Sequence, residues 1–422
     1  MVVERLFTAY LKRRHSRILQ LDRFSNADSI RPRSGNEYLL YVHVPFCEEL
    51  CPYCSFNRFP LDRDVAREYF KGLRREVSLY ADCGFNFAAL YVGGGTPTVL
   101  PDEIGRLLDE LRQAFSIREI SLETNPNHLT DDIVQILKNG GVNRLSVGVQ
   151  SFDDGLLKQI ERYHKYGSGE RIRDRLAELA GTFDTLNIDM MFNFPTQTLS
   201  MLEEDLKILK EIEAEQVTFY PLMVSKATRR QLTMRFGPIS YRQEKLFYEH
   251  IVDILGDDYS GGTAWCFSRK KSMIDEYIVD YDEYVGVGSG SFGYVNGSCF
   301  ANTFSIPHYL ESVNEGKMPI WAKKDFSVKE QIQYYFMMKL FGMSLDIEKA
   351  EKKFRGRFIK TLWKEILMLN SWGALINDKG VLRLTRQGRY LWVIMMREFF
   401  TGVNNFRDIC RAAIEGPDEC IQ

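Results

Sequence analysis

What most constrains the fold of this chain is an alternation. Six apolar runs with strand character lie at 38–44, 87–92, 118–122, 143–149, 185–192 and 216–220. Between and after them lie segments of helical periodicity at about 63–81, 101–115, 130–139, 153–163, 169–182 and 200–213. A strand followed by a helix before the next strand pairs in parallel, with the helices packed outside. Six such units predict an α/β fold: a partial (β/α)6 barrel rather than a closed eight-stranded one. Parallel barrels carry their chemistry on the loops that leave the C-terminal ends of the strands. The residues that end each run are therefore where function is sought.

The first of these loops holds three cysteines in C-x3-C-x2-C spacing, Cys47, Cys51 and Cys54. Three thiolates hold three irons of a [4Fe-4S] cluster, which ordinarily takes four cysteines. The iron left open can chelate a small molecule such as S-adenosylmethionine (SAM) and pass an electron to its sulfonium. Zinc and disulfide readings are weaker. Cys83, Cys266, Cys299, Cys410 and Cys420 are scattered singly, without His partners at metal spacing, and no secretory segment is visible. The aromatics Tyr53 and Phe56 beside the third cysteine suit a cluster shielded from solvent.

The later loops add polar groups. The second run ends in Gly93-Gly-Gly-Thr-Pro97, where the three glycines, Gly93, Gly94 and Gly95, let the backbone approach a ligand closely. Glu123 ends the third run, Gln150 ends the fourth with Arg162 twelve residues on, and Asp189 lies within the fifth. Their placement at successive strand ends predicts one polar mouth. The stretch Val285-Gly-Val-Gly-Ser-Gly-Ser-Phe-Gly293 matches G-x-G-x-x-G without a surrounding dinucleotide-binding unit, and reads as close backbone packing at the barrel's open edge.

With 422 residues the chain exceeds one typical core. The expected division is an N-terminal helical lid at 1–36, the barrel with its extension at 37–325, and a C-terminal helical, winged-helix-like unit at 326–422. A net charge of −2 argues against nucleic acid as a partner. No run approaches the ~18 apolar residues of a membrane span. The expectation is a cytoplasmic protein, with peripheral membrane contact open to the amphipathic face Leu6, Phe7, Tyr10 and Leu11 and the basic Lys12, Arg13 and Arg14.

Taken in order, Tyr41-x-His-x-Pro-Phe-Cys, Gly-Gly-Gly-Thr-Pro, Glu123 before Asn-Pro, Gly-Val-Gln-Ser-Phe, Asp189 with Phe194-Pro195, Tyr284-x-Gly-x-Gly-Ser-Gly and a late Leu-Thr-x-x-Gly resemble the radical SAM family of oxygen-independent coproporphyrinogen III oxidases and their relatives, over about residues 37–400. The resemblance implies two SAM molecules. Tyr41, Gly94, Thr96, Glu123 and Arg162 match positions around the cluster-bound one; Phe56, Gly95, Gln150 and Asp189 fall at or near positions for a second. It also implies a reductant such as flavodoxin or ferredoxin.

The family's haem chaperones carry His-Asn-x-x-Tyr-Trp, and its decarboxylases usually carry Asp-His-Phe, where this chain has Ala264-Trp-Cys-Phe. That rebuilt stretch resembles the class C radical SAM methyltransferases. The resulting expectation is C-methylation of a small aromatic substrate, with a menaquinone-type naphthoquinone favoured by Phe219, Tyr220, Trp265 and Phe267. Cys266 is then a candidate catalytic donor of a proton or hydrogen atom, or else a buried small hydrophobe. The alternatives are a coproporphyrinogen oxidase-type tetrapyrrole enzyme and a haem-trafficking protein.

Overall fold

The computed structural model describes residues 4, 7–8, 21–23, 30–269 and 277–415. All six predicted runs are strands: β1 (Tyr38–Val44), β2 (Phe87–Gly94), β3 (Glu119–Thr124), β4 (Arg144–Gln150), β5 (Thr185–Phe192) and β6 (Gln216–Pro221). They pair in that order and all in parallel. Helices α1 (Arg63–Asp82), α2 (Pro101–Ala114), α3 (Asp131–Asn139), α4 (Gly169–Leu179) and α5 (Leu199–Ile212) lie between the strands. In α1, the Asp62 side chain caps the first turn by accepting from Asp64 N and Val65 N. Ala66, Tyr69, Phe70, Leu73, Val77 and Tyr80 recur at helical spacing and form its buried face.

The sheet continues beyond both barrel edges. Past β6 lies β7 (Cys266–Ser268), antiparallel to it. Past β1 lies β8 (Tyr284–Val287), parallel to it, and then the antiparallel β9 (Phe292–Val295), β10 (Ser298–Asn302) and β11 (Ile320–Asp325). Asp22 and Arg23 add a short strand against Lys323 and Ala322. The resulting strand order is linear, so the barrel is open, as predicted. The glycine stretch turns from β8 into β9. A Cβ on Gly290, at φ +81°, would stand 2.5 Å from the Asn57 amide, which explains the need for glycine there.

One expectation is corrected. The helix predicted over 153–163 is broken into Asp154–Gln159 and Tyr163–Tyr166. Glu161 takes a left-handed conformation, at φ 59°, and Arg162 is buried at the break.

The C-terminal unit packs continuously with the barrel among the described residues. It comprises α8 (Val328–Phe341), α9 (Phe358–Ser371), the hairpin Leu375–Asp378/Val381–Leu384 and α10 (Arg386–Glu415). It shares one buried cluster with the barrel and with α6 (Arg229–Phe236) and α7 (Tyr241–Leu255), which follow β6. Trp265 joins the parts, with ring centroids 5.2 Å from Phe341 and 5.6 Å from Phe400.

At the N-terminus, Phe7 is buried against Trp372 and Glu4 pairs with Lys245 of α7 at 2.8 Å. These residues dock on the C-terminal unit and α7. Leu6, Tyr10, Leu11 and Lys12–Arg14 lie outside the described residues. No helix among the described residues is long and apolar enough to cross a membrane.

Candidate functional site

The cysteine loop leaves β1 and is fixed from three sides. Arg58 folds back into it, its Nη2 donating to Cys51 O at 2.6 Å and Cys54 O at 2.9 Å. Arg162, brought inward by the helix break, donates from Nη1 to Tyr53 Oη at 3.3 Å and lies 3.6 Å from Cys51 Sγ. The Thr96 hydroxyl lies 3.7 Å from Cys47 Sγ.

No three acidic, His or Cys groups among the described residues converge on a single ion. A cubane does not need that convergence, because each thiolate ligates a different corner. The surroundings fit such a cluster. Arg58 Nε and Arg162 Nε are buried without a hydrogen-bond partner, and two guanidinium groups face thiols that become anionic on binding iron. Burial pushes the bare Cys47 thiol up to about 12, with Cys54 and Cys51 adding to the shift, so iron must supply the charge that holds it ionised.

The glycine turn after β2 is a fitted cradle. A Cβ on Gly95 would stand 2.5 Å from Phe46 O, and one on Gly94, at φ +121°, 2.8 Å from the His43 ring. Gly94 N donates to Glu123 Oε2 at 3.0 Å and the Tyr91 hydroxyl to Oε1 at 2.9 Å, so the Glu123 carboxylate is held at the rim. Burial drops His43 to about 4, so its ring is neutral. Nε2 then donates to Asn57 O at 2.8 Å, which leaves Nδ1 to accept from the Tyr41 hydroxyl at 2.8 Å. Tyr41 is thereby tied through His43 to the end of the cysteine loop.

Across the mouth, Arg162 Nη2 donates to Asn125 Oδ1 at 3.1 Å and to Gly148 O. Asn125 Nδ2 in turn donates to Thr96 Oγ1 at 2.6 Å. Gln150 closes β4 at φ 78°, a strained conformation of the kind that gathers at ligand sites. The Asp189 carboxylate accepts from Ser146 Oγ at 2.8 Å and Asn187 Nδ2 at 2.7 Å. The structure therefore links Tyr41 to the cysteine loop and Glu123 to Gly94, and gathers Thr96, Arg162 and the three cysteines into one network, with Gln150 packed over Gly148 beside Asn125 and Arg162.

Beside this network, where β5 and β6 end, lies a cavity of about 1010 Å³. Pro195 and Leu222–Val224 form its rim-side wall, and α6 contributes Leu232 and Phe236. Its far wall is α10, and Leu21 and Asp22 also face it. Lys226, Arg229 and Arg397 supply positive charge. Arg397 is buried and pairs with Glu244 and Glu398, whereas Lys226 and Arg229 are exposed and without an ion pair among the described residues. Tyr53, Phe194 and Phe236 lead from the cysteine loop to the cavity wall, with centroids 5.6 and 6.0 Å apart.

Three readings of side chains change. Tyr53 is the buried aromatic of the loop, while Phe56 is 56% exposed and turned away from any shielding role. Cys266 is fully buried opposite Thr218, its Sγ 3.6 Å from where a Cβ on Gly262 would stand, and is not among the residues that line the cavity. Phe219, Tyr220, Trp265 and Phe267 pack on one another, with Tyr220 and Trp265 at 5.3 Å and Phe219 and Phe267 at 6.4 Å, and none lines the cavity. The sequence reading missed Arg58, Asn125, His43 and Asn57. Arg58, four residues after Cys54, and His43, two after Tyr41, were open to notice; Asn125 acts through contacts with Thr96 and Arg162, and Asn57 through Ser289, distant in sequence.

Residues 41–209 match the model of the radical SAM superfamily. The chain is 30% identical over 370 residues to the haem chaperone HemW of Bacillus subtilis (strain 168), covering 83% of this chain and 96% of that protein. It is 25% identical over 385 residues to the oxygen-independent coproporphyrinogen III oxidase of Salmonella typhimurium (strain LT2), covering 83% of each. The solved structure of coproporphyrinogen III oxidase (HemN) from Escherichia coli superposes with a TM-score of 0.73 over 86% of this chain and 90% of that one, at 22% identity.

Proposed function

This chain belongs to the HemN/HemW-like family of the radical SAM superfamily, and from that premise we propose that it is a tetrapyrrole-handling radical SAM protein, with haem its favoured ligand. A [4Fe-4S] cluster and SAM are the cofactors of the superfamily and of this chain. Cys47, Cys51 and Cys54 are assigned the cluster. Tyr41, Gly94, Gly95, Thr96, Glu123, Gln150, Arg162 and Asp189 are assigned SAM, with a second SAM nearest Gln150 and Asp189. When bound, the cluster supplies the electron that cleaves SAM reductively. The chain's own residues orient and exclude: Gly94 and Gly95 admit backbone contact, Glu123 offers a held carboxylate to an amine or ribose, and Arg162 places positive charge against Cys51.

The observation that carries the tetrapyrrole reading is the cavity beside the cofactor network. Its volume is large enough for a macrocycle, its walls are largely apolar, and Lys226 and Arg229 at its lip suit ring carboxylates. The family evidence points the same way, since a haem chaperone aligns over 96% of its length. Methyl transfer to a quinone loses its footing, because the aromatics that favoured it are core residues and the relatives named above handle haem or a porphyrinogen. Oxidative decarboxylation remains the second reading, favoured by the cavity's position on the same rim as the cysteine loop.

Haem titration of the anaerobically reconstituted protein tests the proposal, with SAM products assayed in parallel. Stoichiometric binding with a shifted Soret band is expected, and no S-adenosylhomocysteine. A protein that leaves haem free and yields S-adenosylhomocysteine with 5′-deoxyadenosine is a methyltransferase instead. Consumption of a porphyrinogen with release of carbon dioxide selects the decarboxylase.

A further inference from the structure

Helix α10 has 30 residues, about 45 Å at 1.5 Å per residue, and it touches both halves of the mouth. Arg397, Thr401, Asn405 and Ile409 recur every four residues and line the cavity. The neighbouring stripe, Asn404 and Arg411, reaches the cysteine loop instead. Asn404 is buried and its Nδ2 donates to Ser55 Oγ at 2.7 Å, one residue past Cys54. Arg411 lies 4.8 Å over the Phe59 ring. Asn405, the next residue along the helix, accepts from Lys226 N at 2.8 Å at the cavity lip. Two adjacent asparagines thus fasten the same helical turn to the ligand wall and to the loop that carries the cluster ligands.

From this we infer that α10 reports occupancy of the cavity to the cysteine loop, with Asn404 as the positioning residue through its bond to Ser55. The inference rests on the reading of the cavity as the tetrapyrrole site. A flat ligand in the cavity bears on the face made by Thr401, Asn405, Phe406 and Ile409. A helix moves as a unit, so that load shifts Asn404, and with it Ser55 and the backbone of Cys54. Arg58, Arg162 and Thr96 already hold the loop, so Asn404 adds to these fixed contacts one contact that follows the ligand.

The test uses the full chain with its cluster reconstituted, and zinc protoporphyrin IX as a diamagnetic probe. Two readouts are taken with and without porphyrin: the electron paramagnetic resonance spectrum of the dithionite-reduced cluster with SAM, and amide hydrogen exchange over residues 51–60. In the parent protein, porphyrin shifts the cluster spectrum and slows exchange in the loop about threefold or more. In Asn404→Ala both responses vanish, while porphyrin affinity stays within about twofold and iron content is unchanged. Asn404→Asp reverses the bond, its carboxylate accepting from the Ser55 hydroxyl, and keeps the response. Ser55→Ala removes the same contact from the loop side and repeats the loss.

An equal response in Asn404→Ala, Ser55→Ala and the parent overturns the inference. So does a parent loop that ignores bound porphyrin, and that measurement decides alone if the variants do not assemble a cluster. Failure of the parent to bind porphyrin removes the tetrapyrrole reading and the inference with it.

Discussion

The two sides of the barrel mouth are built on opposite rules. On the β1–β4 side most polar groups are committed, the buried Nε atoms of Arg58 and Arg162 excepted. Arg58 and Arg162 brace the cysteine loop, Glu123 is shared between Gly94 and Tyr91, and Asn125 bridges Thr96 and Arg162. On the β5–β6 side the walls are apolar loops and helices, and two cations stand without ion pairs among the described residues. A dense polar network fixes the positions of its own groups, because moving one leaves buried partners unsatisfied. A roomy apolar cavity tolerates a ligand held mainly by burial. The first side suits cofactors that must be held in one geometry, the second a macrocycle that enters and leaves.

The sharpest way to break this contrast is at the cluster ligands. Cys51→Ala is expected to lose the cluster: iron should fall from about four per chain to near none, and SAM cleavage with it. Iron retained in that variant removes the premise for the whole β1–β4 side.

The next largest effect is expected at Arg162→Ala. The change strips a buried cation from beside Cys51 and leaves Asn125 Oδ1 and Gly148 O short of a donor. A loss of roughly 100-fold in 5′-deoxyadenosine formation corresponds to about 2.7 kcal/mol. Arg162→Lys should not rescue it, because one ammonium cannot span Cys51, Tyr53 and Gly148. Lysine supporting near-normal turnover means that charge alone matters here and the bracing does not.

Behind the network, Glu76 is fully buried and receives Gly288 N at 2.7 Å, the Tyr309 hydroxyl at 2.8 Å and Asn302 Nδ2 at 2.7 Å. Burial dominates those bonds and raises it to about 7. A carboxyl raised on folding binds its proton more tightly in the native state, so stability falls as pH rises from about 4.5 to about 7. The cost is on the order of 3 kcal/mol. Asp205, raised to about 7 by burial against Ser151 and Phe152 N, adds a slope of the same sign. Glu76→Gln should flatten the pH dependence of denaturant midpoints by about half over that window. An unchanged slope would show that Glu76 is solvated, and the β8–β9 turn less firmly anchored than the contacts describe.

Much of this plan was legible in the sequence, for a reason visible in the strands. Strands buried on both faces read as mostly apolar runs, so β1 to β6 stand out despite buried Arg144, Asn187 and Gln216, and their ends locate the rim. The cysteine spacing and the glycine turn are local, and local chemistry reads directly. What failed was non-local or concerned sidedness. Nothing in periodicity shows that Glu161 turns left-handed and breaks a helix, yet that turn is what delivers Arg162 to Cys51. Tyr53 and Phe56 look equivalent in a loop, and the packing of Phe194 and the Arg162 hydrogen bond on Tyr53 separate them. The aromatics around Trp265 looked like a substrate surface because aromatic content does not distinguish a pocket from the seam between β6–β7 and the C-terminal helices. Asn404 lies 349 residues from Ser55, beyond any motif.

The smallest predicted effect sharpens the cavity side. Arg229 opens α6, is exposed, and lines the cavity with Lys226. A guanidinium bond to a carboxylate at a partly solvated lip is weaker than a buried one, because water screens it. Arg229→Ala should therefore weaken binding of a dicarboxylate porphyrin about tenfold, or about 1.4 kcal/mol. It should leave iron content, the cluster spectrum without ligand and SAM cleavage unchanged. The dimethyl ester of the same porphyrin isolates the charge: it should bind the parent protein and Arg229→Ala equally. If acid and ester lose affinity alike, Arg229 contributes packing through its methylene stem, and ring carboxylates are read elsewhere. If neither is affected while raised salt still weakens the acid selectively, Lys226 is the remaining cation at the lip, and Lys226→Ala should then carry the tenfold loss.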